Sequence, residues 1–414
     1  MGPASRAAAC LVLCAATMCT ASACTSAVSG RSHQRSESRA TATPSRSRPT
    51  HVTSPTSSPS DRTSDAPVRP SGGAAQRALS RMTLAERVGQ LLMVDCPSTG
   101  VAPATVTAIR GSHVGSVILD GTTDQGVAAT AAVSAHLRAL APPRVGLFVA
   151  TDQEGGLVQR LQGPGFSTIP SAVQQGWWTP QHLQQAATTW GRQLRSAGVN
   201  VNLAPVLDTV PPDFGSNPPI GDLDREYGHR PVRTRVHGLA FAAGMRAAGV
   251  AATGKHFPGL GRVRGNTDTS SGVTDTVTAR HDRYLRPFGA AAAARVPFVM
   301  VSTAIYSRID PGVPAAFSRT IVTGMLRGDL AYRGVIISDD VGAAAQVSSV
   351  PVGRRAVRFV AAGGDVVLTV DASQAAQMAH ALIARARHIP RFRALVNAAA
   401  LTVLHAKQAA GLLR

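Results

Sequence analysis

Polar side chains of the kinds that do acid–base and nucleophilic chemistry recur in this sequence directly after short apolar runs. Asp95, Asp120, Asp152, Asp208, Lys255 with His256, Ser302, Asp339 and Asp371 each stand at or just past such a run. Carboxylates, an amine and an imidazole are the groups that exchange protons, attack electrophilic carbon and hold polar ligands. Taken singly, each Asp has a structural reading of equal weight, because Asp is a favoured helix N-cap. Their recurrence at the same place in successive units points to a shared site.

The elements that must position them are the runs themselves: Leu91 to Val94, Gly115 to Leu119, Gly146 to Ala150, Val199 to Leu207, Val250 to Ala252 leading into Lys255, Phe298 to Val301, Gly334 to Ile337, and Asp365 to Val370. They are apolar without alternation, as strands buried on both faces are. Ala/Arg-rich stretches of helical character separate them. Strands and helices in alternation predict an α/β fold, a (β/α)8 TIM-like barrel, whose catalytic side chains gather at the C-terminal ends of the strands. A barrel of this kind takes 250 residues or more as one unit, so 414 residues allow one catalytic domain, 76–414, plus appendages.

Three segments resemble the signatures of glycoside hydrolase family 3: Thr151-Asp152-Gln153-Glu154-Gly155-Gly156-Leu157-Val158-Gln159-Arg160, Lys255-His256-Phe257-Pro258-Gly259 and Ile337-Ser338-Asp339-Asp340. The closest type is the single-domain bacterial β-N-acetylglucosaminidase, and the likeness covers roughly residues 80 to 410. It implies a retaining exo-β-N-acetylglucosaminidase acting on N-acetylglucosamine-containing, peptidoglycan-derived glycans or muropeptides, as a monomer and without cofactor or metal. β-Glucosides or β-xylosides, a phosphorylase reaction, and a non-catalytic sugar-binding protein are the alternatives. By the same resemblance Asp339 is the nucleophile, and Asp152, Arg160, Arg225, Lys255 and His256 match substrate-binding positions. The chemistry fits: retention needs one group to attack the anomeric carbon and a second to protonate the leaving oxygen. A sugar's hydroxyls also need a carboxylate acceptor and cationic donors. Asp340 reads as a structural acid, and a buried salt bridge to Asp208 is the structural alternative for Lys255.

Two places depart from the family pattern. Arg225 lies in Ile220-Gly221-Asp222-Leu223-Asp224-Arg225-Glu226-Tyr227-Gly228, where the family has a shorter spacing. After Lys-His-Phe-Pro-Gly the family carries Asp-Ser-His, whose histidine donates the proton. Here Asp268 aligns with the aspartate and Ser270 stands where the histidine would be. A serine hydroxyl is a poor acid near neutral pH. Asp268 is therefore the candidate acid/base, given partial burial and the nearby charge of Asp339. His229 or His281 reaching in, or binding without turnover, are the alternatives.

The net charge of +19 would ordinarily suggest nucleic acid. The basic residues are arginine except for Lys255 and Lys407, aromatics are only 4%, and no recognition motif accompanies the charge, so nucleic acid is not expected as a partner. Residues 1–23, with Arg6 before an apolar stretch, read as a signal peptide. Ala21-Ser22-Ala23-Cys24 resembles a lipobox, which makes Cys24 the expected lipidation site and membrane anchor, outside the cell membrane or in the envelope; simple cleavage after Ala23 is the alternative. Residues 24–75 read as a disordered tether: from Thr25 to Ala75 there are 20 Ser/Thr and 6 Pro, with scarcely a large apolar side chain. The tether carries +4 and leaves the domain with +14, which suits acidic envelope polymers. Cys96, the one cysteine within the expected folded domain, reads as a small buried hydrophobe.

Overall fold

The computed structural model describes residues 73–414. The expected signal peptide, the lipidation site Cys24 and all but the end of the tether lie outside the described residues. The first helix, Ala74–Arg81, begins two residues before the boundary read from composition. Its Ala75 and Leu79 are buried, and the Ala75 N–H donates to Gln408 Oε1 at 2.9 Å.

An eight-stranded parallel sheet forms the centre. Its strands are β1 (Leu92–Pro97), β2 (Ser116–Asp120), β3 (Phe148–Thr151), β4 (Val201–Asn202), β5 (Ala251–Phe257), β6 (Phe298–Val301), β7 (Val335–Ser338) and β8 (Val367–Thr369). Neighbours pair in sequence order, β8 returns to β1, and a parallel bridge between Ile337 and Val366 joins β7 to the entry of β8, closing the barrel. All eight coincide with the apolar runs. The largest difference is at the fourth, which was expected over Val199 to Leu207 but keeps a regular ladder only at Val201–Asn202. Pro205 interrupts it because proline has no N–H to give. Pairing resumes at Val206 and Lys255, with the Lys255 N–H donating to the Pro205 carbonyl at 3.2 Å.

The continuous apolar character follows from two separate burials. Met93, Ile118, Phe148, Ala150, Val201, Phe298, Met300, Ile337 and Leu368 pack together as one cluster inside the barrel. Their neighbours Val94, Val117, Val149, Val299 and Ile336 pack outward against the helices. The Phe148 and Phe298 rings meet edge to face at 5.3 Å, a favoured aromatic geometry. Helices fill the crossovers with the local signals such elements need. Pro180–Ser196, for example, has Thr179 accepting from the His182 N–H at 3.2 Å, with Pro180 in the first turn. The N-terminal end of the barrel is plugged by the last helix, Pro390–Ala409, which inserts Val403 into the interior cluster. From the same helix the Lys407 Nζ donates to Gln90 Oε1 at 2.7 Å and to the Gly115 carbonyl at 2.8 Å. Cys96 is buried and free, and burial pushes its thiol up to about 11, as fits an inert hydrophobe.

Candidate active site

The C-terminal ends of the strands surround a cavity of about 440 Å³, a size usual for small-ligand clefts. Asp152, Arg160, Arg225, Lys255, His256, Asp268 and Asp339 all line it, so every candidate catalytic and substrate-binding residue from the barrel meets in one place.

Asp339 follows β7 directly. Its N–H donates to the Val301 carbonyl at 2.8 Å, and its Oδ1 accepts the Asp340 N–H at 3.0 Å. Burial, with the Asp268 charge adding to it, lifts its carboxyl to about 6, against the pull of His256, Lys255 and the Asp340 N–H. Asp340 also borders the cavity, but its two oxygens are taken up by the N–H groups of Gly342, Ala343, Ala344 and Val370 at 2.7–3.0 Å. It builds the turn after the strand, as its structural reading expected. Arg355 braces the same turn through the Val341 and Gly342 carbonyls at 2.8 and 2.6 Å.

Opposite stands a charged relay anchored on a residue the sequence reading passed over. Lys255 Nζ donates to Asp152 Oδ1 at 2.5 Å and lies 2.6 Å from Glu154 Oε1. Arg225 grips the same Glu154 with both arms of its fork, at 2.9 and 2.7 Å, the bidentate geometry that suits a guanidinium. Burial alone would raise the Glu154 carboxyl, but Arg225 and Lys255 outweigh it and hold the group down at about 2. Burial likewise disfavours charge on Lys255, and Asp152 and Glu154 reverse that, so its ammonium is held charged. Glu154 was legible in principle, because residues two apart in an extended hairpin share a face and Asp152 and Glu154 flank Gln153. The hairpin turns through Gly155 at φ 114°, where an added Cβ would stand 2.2 Å from the Pro170 carbonyl oxygen; only glycine fits there.

The expected alternative for Lys255, a bridge to Asp208, is corrected. Asp208 instead holds His256: its Oδ2 is 2.7 Å from His256 Nδ1, and its oxygens accept the His256 N–H at 3.1 and 3.2 Å and the Leu260 N–H at 2.8 Å. Asp208 thus fixes both the ring and the chain leading to the next loop. Before Arg225 the chain makes the turn Gly221–Leu223, where Asp222 accepts from Ser216 Oγ and the Asn217 N–H at 2.6 and 2.9 Å. Arg160 presents a buried Nε with no protein partner to the cavity. Asp371 caps the turn Ala372–Gln374 through the Ser373 N–H at 3.0 Å, the structural reading. Asp120 lines the cavity.

The loop after β5 differs from expectation in one respect. Asp268 lines the cavity but is exposed, so the partial burial expected of it is absent. Burial raises the Asp339 carboxyl instead. Ser270 does not line the cavity, and among the described histidines only His256 does. His229 lines a different cavity, and His281 is exposed. The Asp268 loop is held in place by backbone bonds from the loop after β7: the Ala345 and Gln346 N–H groups donate to the Asp268 and Thr267 carbonyls, each at 3.1 Å. Asn217 Nδ2 holds the loop's other end through the Leu260 and Val263 carbonyls at 2.9 and 2.8 Å.

The model of the glycosyl hydrolase family 3 N-terminal domain matches residues 83–405. A β-hexosaminidase of Alkalilimnicola ehrlichii is 34% identical over 307 residues, 72% of this chain and 84% of that protein. Among solved structures, a β-N-acetylhexosaminidase from Beutenbergia cavernae superposes with a TM-score of 0.78 at 50% identity, covering 79% of this chain and 99% of the other. A family 3 β-N-acetylglucosaminidase from Paenibacillus sp. superposes with a TM-score of 0.73 at 30% identity, over 80% of this chain and 63% of that one. With a family match over most of its length and a relative of this identity and coverage, the chain belongs to glycosyl hydrolase family 3.

Proposed function

We propose that this glycoside hydrolase is a retaining exo-β-N-acetylglucosaminidase that removes terminal N-acetylglucosamine from peptidoglycan-derived glycans. The observation that carries the reading is the Asp339 carboxylate at the end of β7, facing a cavity walled by Asp152, Arg160, Arg225, Lys255 and His256. The names of the relatives, β-hexosaminidase and β-N-acetylglucosaminidase, support the sugar. In the first step, which needs Asp339 ionised and Asp268 protonated, an Asp339 oxygen bonds to the anomeric carbon as the glycosidic C–O bond breaks, and Asp268 gives the departing oxygen its proton. In the second, Asp268 takes a proton from water, whose oxygen replaces Asp339 at the same carbon. Asp152 accepts from sugar hydroxyls, Arg160 donates to them, and Glu154 keeps Arg225 and Lys255 aimed. The solvent-exposed Asp268 makes weakly activated leaving groups the slow substrates.

The test is release of the aryl group from an aryl β-N-acetylglucosaminide and from the matching β-glucoside by the purified chain. Faster release from the first is expected. Faster release from the glucoside would move the substrate within the family, and no difference between wild type and Asp339→Ala on either would overturn the assignment. A mechanism-based fluoro-sugar should label Asp339, and its failure to do so would remove the covalent step.

We further propose that the protein is exported and anchored on the outside of the cell membrane, in the envelope, through a lipidated Cys24. The small residues Ala21-Ser22-Ala23 before it, after an apolar stretch, support this. A Cys24→Ala variant should leave the membrane fraction, and retention there would count against it.

A further inference from the structure

A second cavity, of about 500 Å³, shares the loop after β4 with the active site but opens elsewhere. Arg230, Arg235, Arg283 and Arg286 line it together with His229 and Tyr284, and no carboxylate does. Arg283 lies over the Tyr284 ring at 5.4 Å. Among the described residues none of these four guanidinium groups has a protein hydrogen bond or ion pair. Of the acids close by in sequence, Asp282 pairs with Arg262 at 2.8 Å, Glu226 is buried with His229 at 4.0 Å, and the exposed Asp213 follows the lining residue Pro212 without itself lining the cavity. The cavity also receives the start of helix Pro231–Ala247, whose first turn has no side-chain cap and whose dipole adds positive potential.

Four like charges around one concavity repel each other, and a multivalent anion relieves that repulsion. Guanidinium forks pair with carboxylate and phosphate alike. Here the donors come from two separate chain segments, residues 230–235 and 283–286, and all four arginines are exposed. A phosphodiester chain, with a charge on each repeat, can meet several of them at once. We propose that this cavity binds a phosphodiester polymer, as a site distinct from the glycan-cleaving one. Docking there would hold the catalytic mouth against an anionic polymer without engaging Asp339.

Binding of the full chain to a fluorescent glycerol-phosphate oligomer, followed by anisotropy from 50 to 200 mM salt, on the order of the range where phosphate contacts are salt-sensitive, tests the proposal. Contact with about four phosphates predicts a log–log salt slope near −3. The variant Arg230→Ser/Arg235→Ser/Arg283→Ser/Arg286→Ser should bind about tenfold or more weakly with a flattened slope. The comparison variant is Arg385→Ser/Arg387→Ser/Arg391→Ser/Arg393→Ser, which removes the same charge from exposed arginines that line neither cavity. It should stay close to wild type. Aryl glycoside turnover reports folding of each, and the pairs Arg230→Ser/Arg235→Ser and Arg283→Ser/Arg286→Ser replace the fourfold variant where it fails to fold. Equal loss in both variants would reduce the effect to net charge and overturn the site, as would no binding by wild type. Equal affinity for a glutamate oligomer of matched charge would overturn the phosphate assignment.

Discussion

The two lysines of the chain are both buried, one at each end of the barrel, and they are held in opposite states. Lys255, at the C-terminal end, sits against Asp152 and Glu154, which keep its ammonium charged despite burial. Lys407, at the N-terminal end, has the neutral acceptors Gln90 Oε1 and the Gly115 carbonyl and the Phe148 ring at 5.5 Å but no carboxylate, and burial draws its amine down to about 7. Burial of the side chain is the same in both cases, so the difference lies wholly in the partners. One end of the barrel is an assembled array of charges that a polar ligand can enter; the other is a plug whose polar groups satisfy each other.

Substitutions at the two ends should therefore separate activity from stability. The largest effect is expected from Asp339→Ala, which should lower kcat by roughly 10⁴-fold or more, as loss of a nucleophile does. Its thermal midpoint should hold or rise, because a raised, buried carboxyl is a stability cost; a large fall would make Asp339 a structural residue. Next, Asp268→Asn should cost on the order of 10²–10⁴-fold with poor leaving groups and far less with activated aryl ones. Asp339 must be ionised to attack, so wild-type kcat/KM should fall as pH drops through about 6. Removing the Asp268 charge should shift that limb to lower pH, and an unmoved limb would separate the two carboxylates.

Lys255→Met strands Asp152 and Glu154 and should cost about 3 kcal/mol in urea unfolding, as breaking a buried pair does, together with most of the activity. Lys407→Met is the small counterpart: activity unchanged, with a stability difference that depends on pH. Burial holds the folded amine down at about 7, against about 10.4 for a lysine in the unfolded chain. Between these values the unfolded chain binds the extra proton, so stability rises with pH by up to about 1.4 kcal/mol per unit. Denaturation at pH 7 and pH 9 should show this rise in the wild type, and the Met variant should lack that share of it.

The barrel was readable because its strands are buried on both faces, which leaves the continuous runs around Val94, Val149 and Ile336 with no alternation to blur them. The strand ends were readable for the same reason, since a polar residue after such a run has few places to point. The fourth strand was over-long in the reading because Val199 to Leu207 is uniformly apolar, while the effect of Pro205 depends on which N–H groups the neighbouring strand needs. Glu154 lies within a motif yet carries no sign of its role, because it orients Arg225 and Lys255, and pairing across 71 residues has no local signature. The partner of Lys255 failed likewise: Asp152 and Asp208 both follow apolar runs, and only the three-dimensional path of the chain chooses between them. The burial of Asp268 could not be read at all, since it depends on how far a loop stands from the barrel mouth.

The Ala345 and Gln346 bonds to the Asp268 loop have a consequence for anyone who would rebuild this enzyme. The segment carrying the acid and the segment following the nucleophile share a seam of main-chain hydrogen bonds, and Gln346 stitches it further, accepting the Val273 N–H at 2.8 Å and donating to the Val273 carbonyl at 3.2 Å. A histidine-bearing loop transplanted into 260–272 would arrive without its matching edge. The unit of exchange is the pair of loops, cut together at β5 and β7.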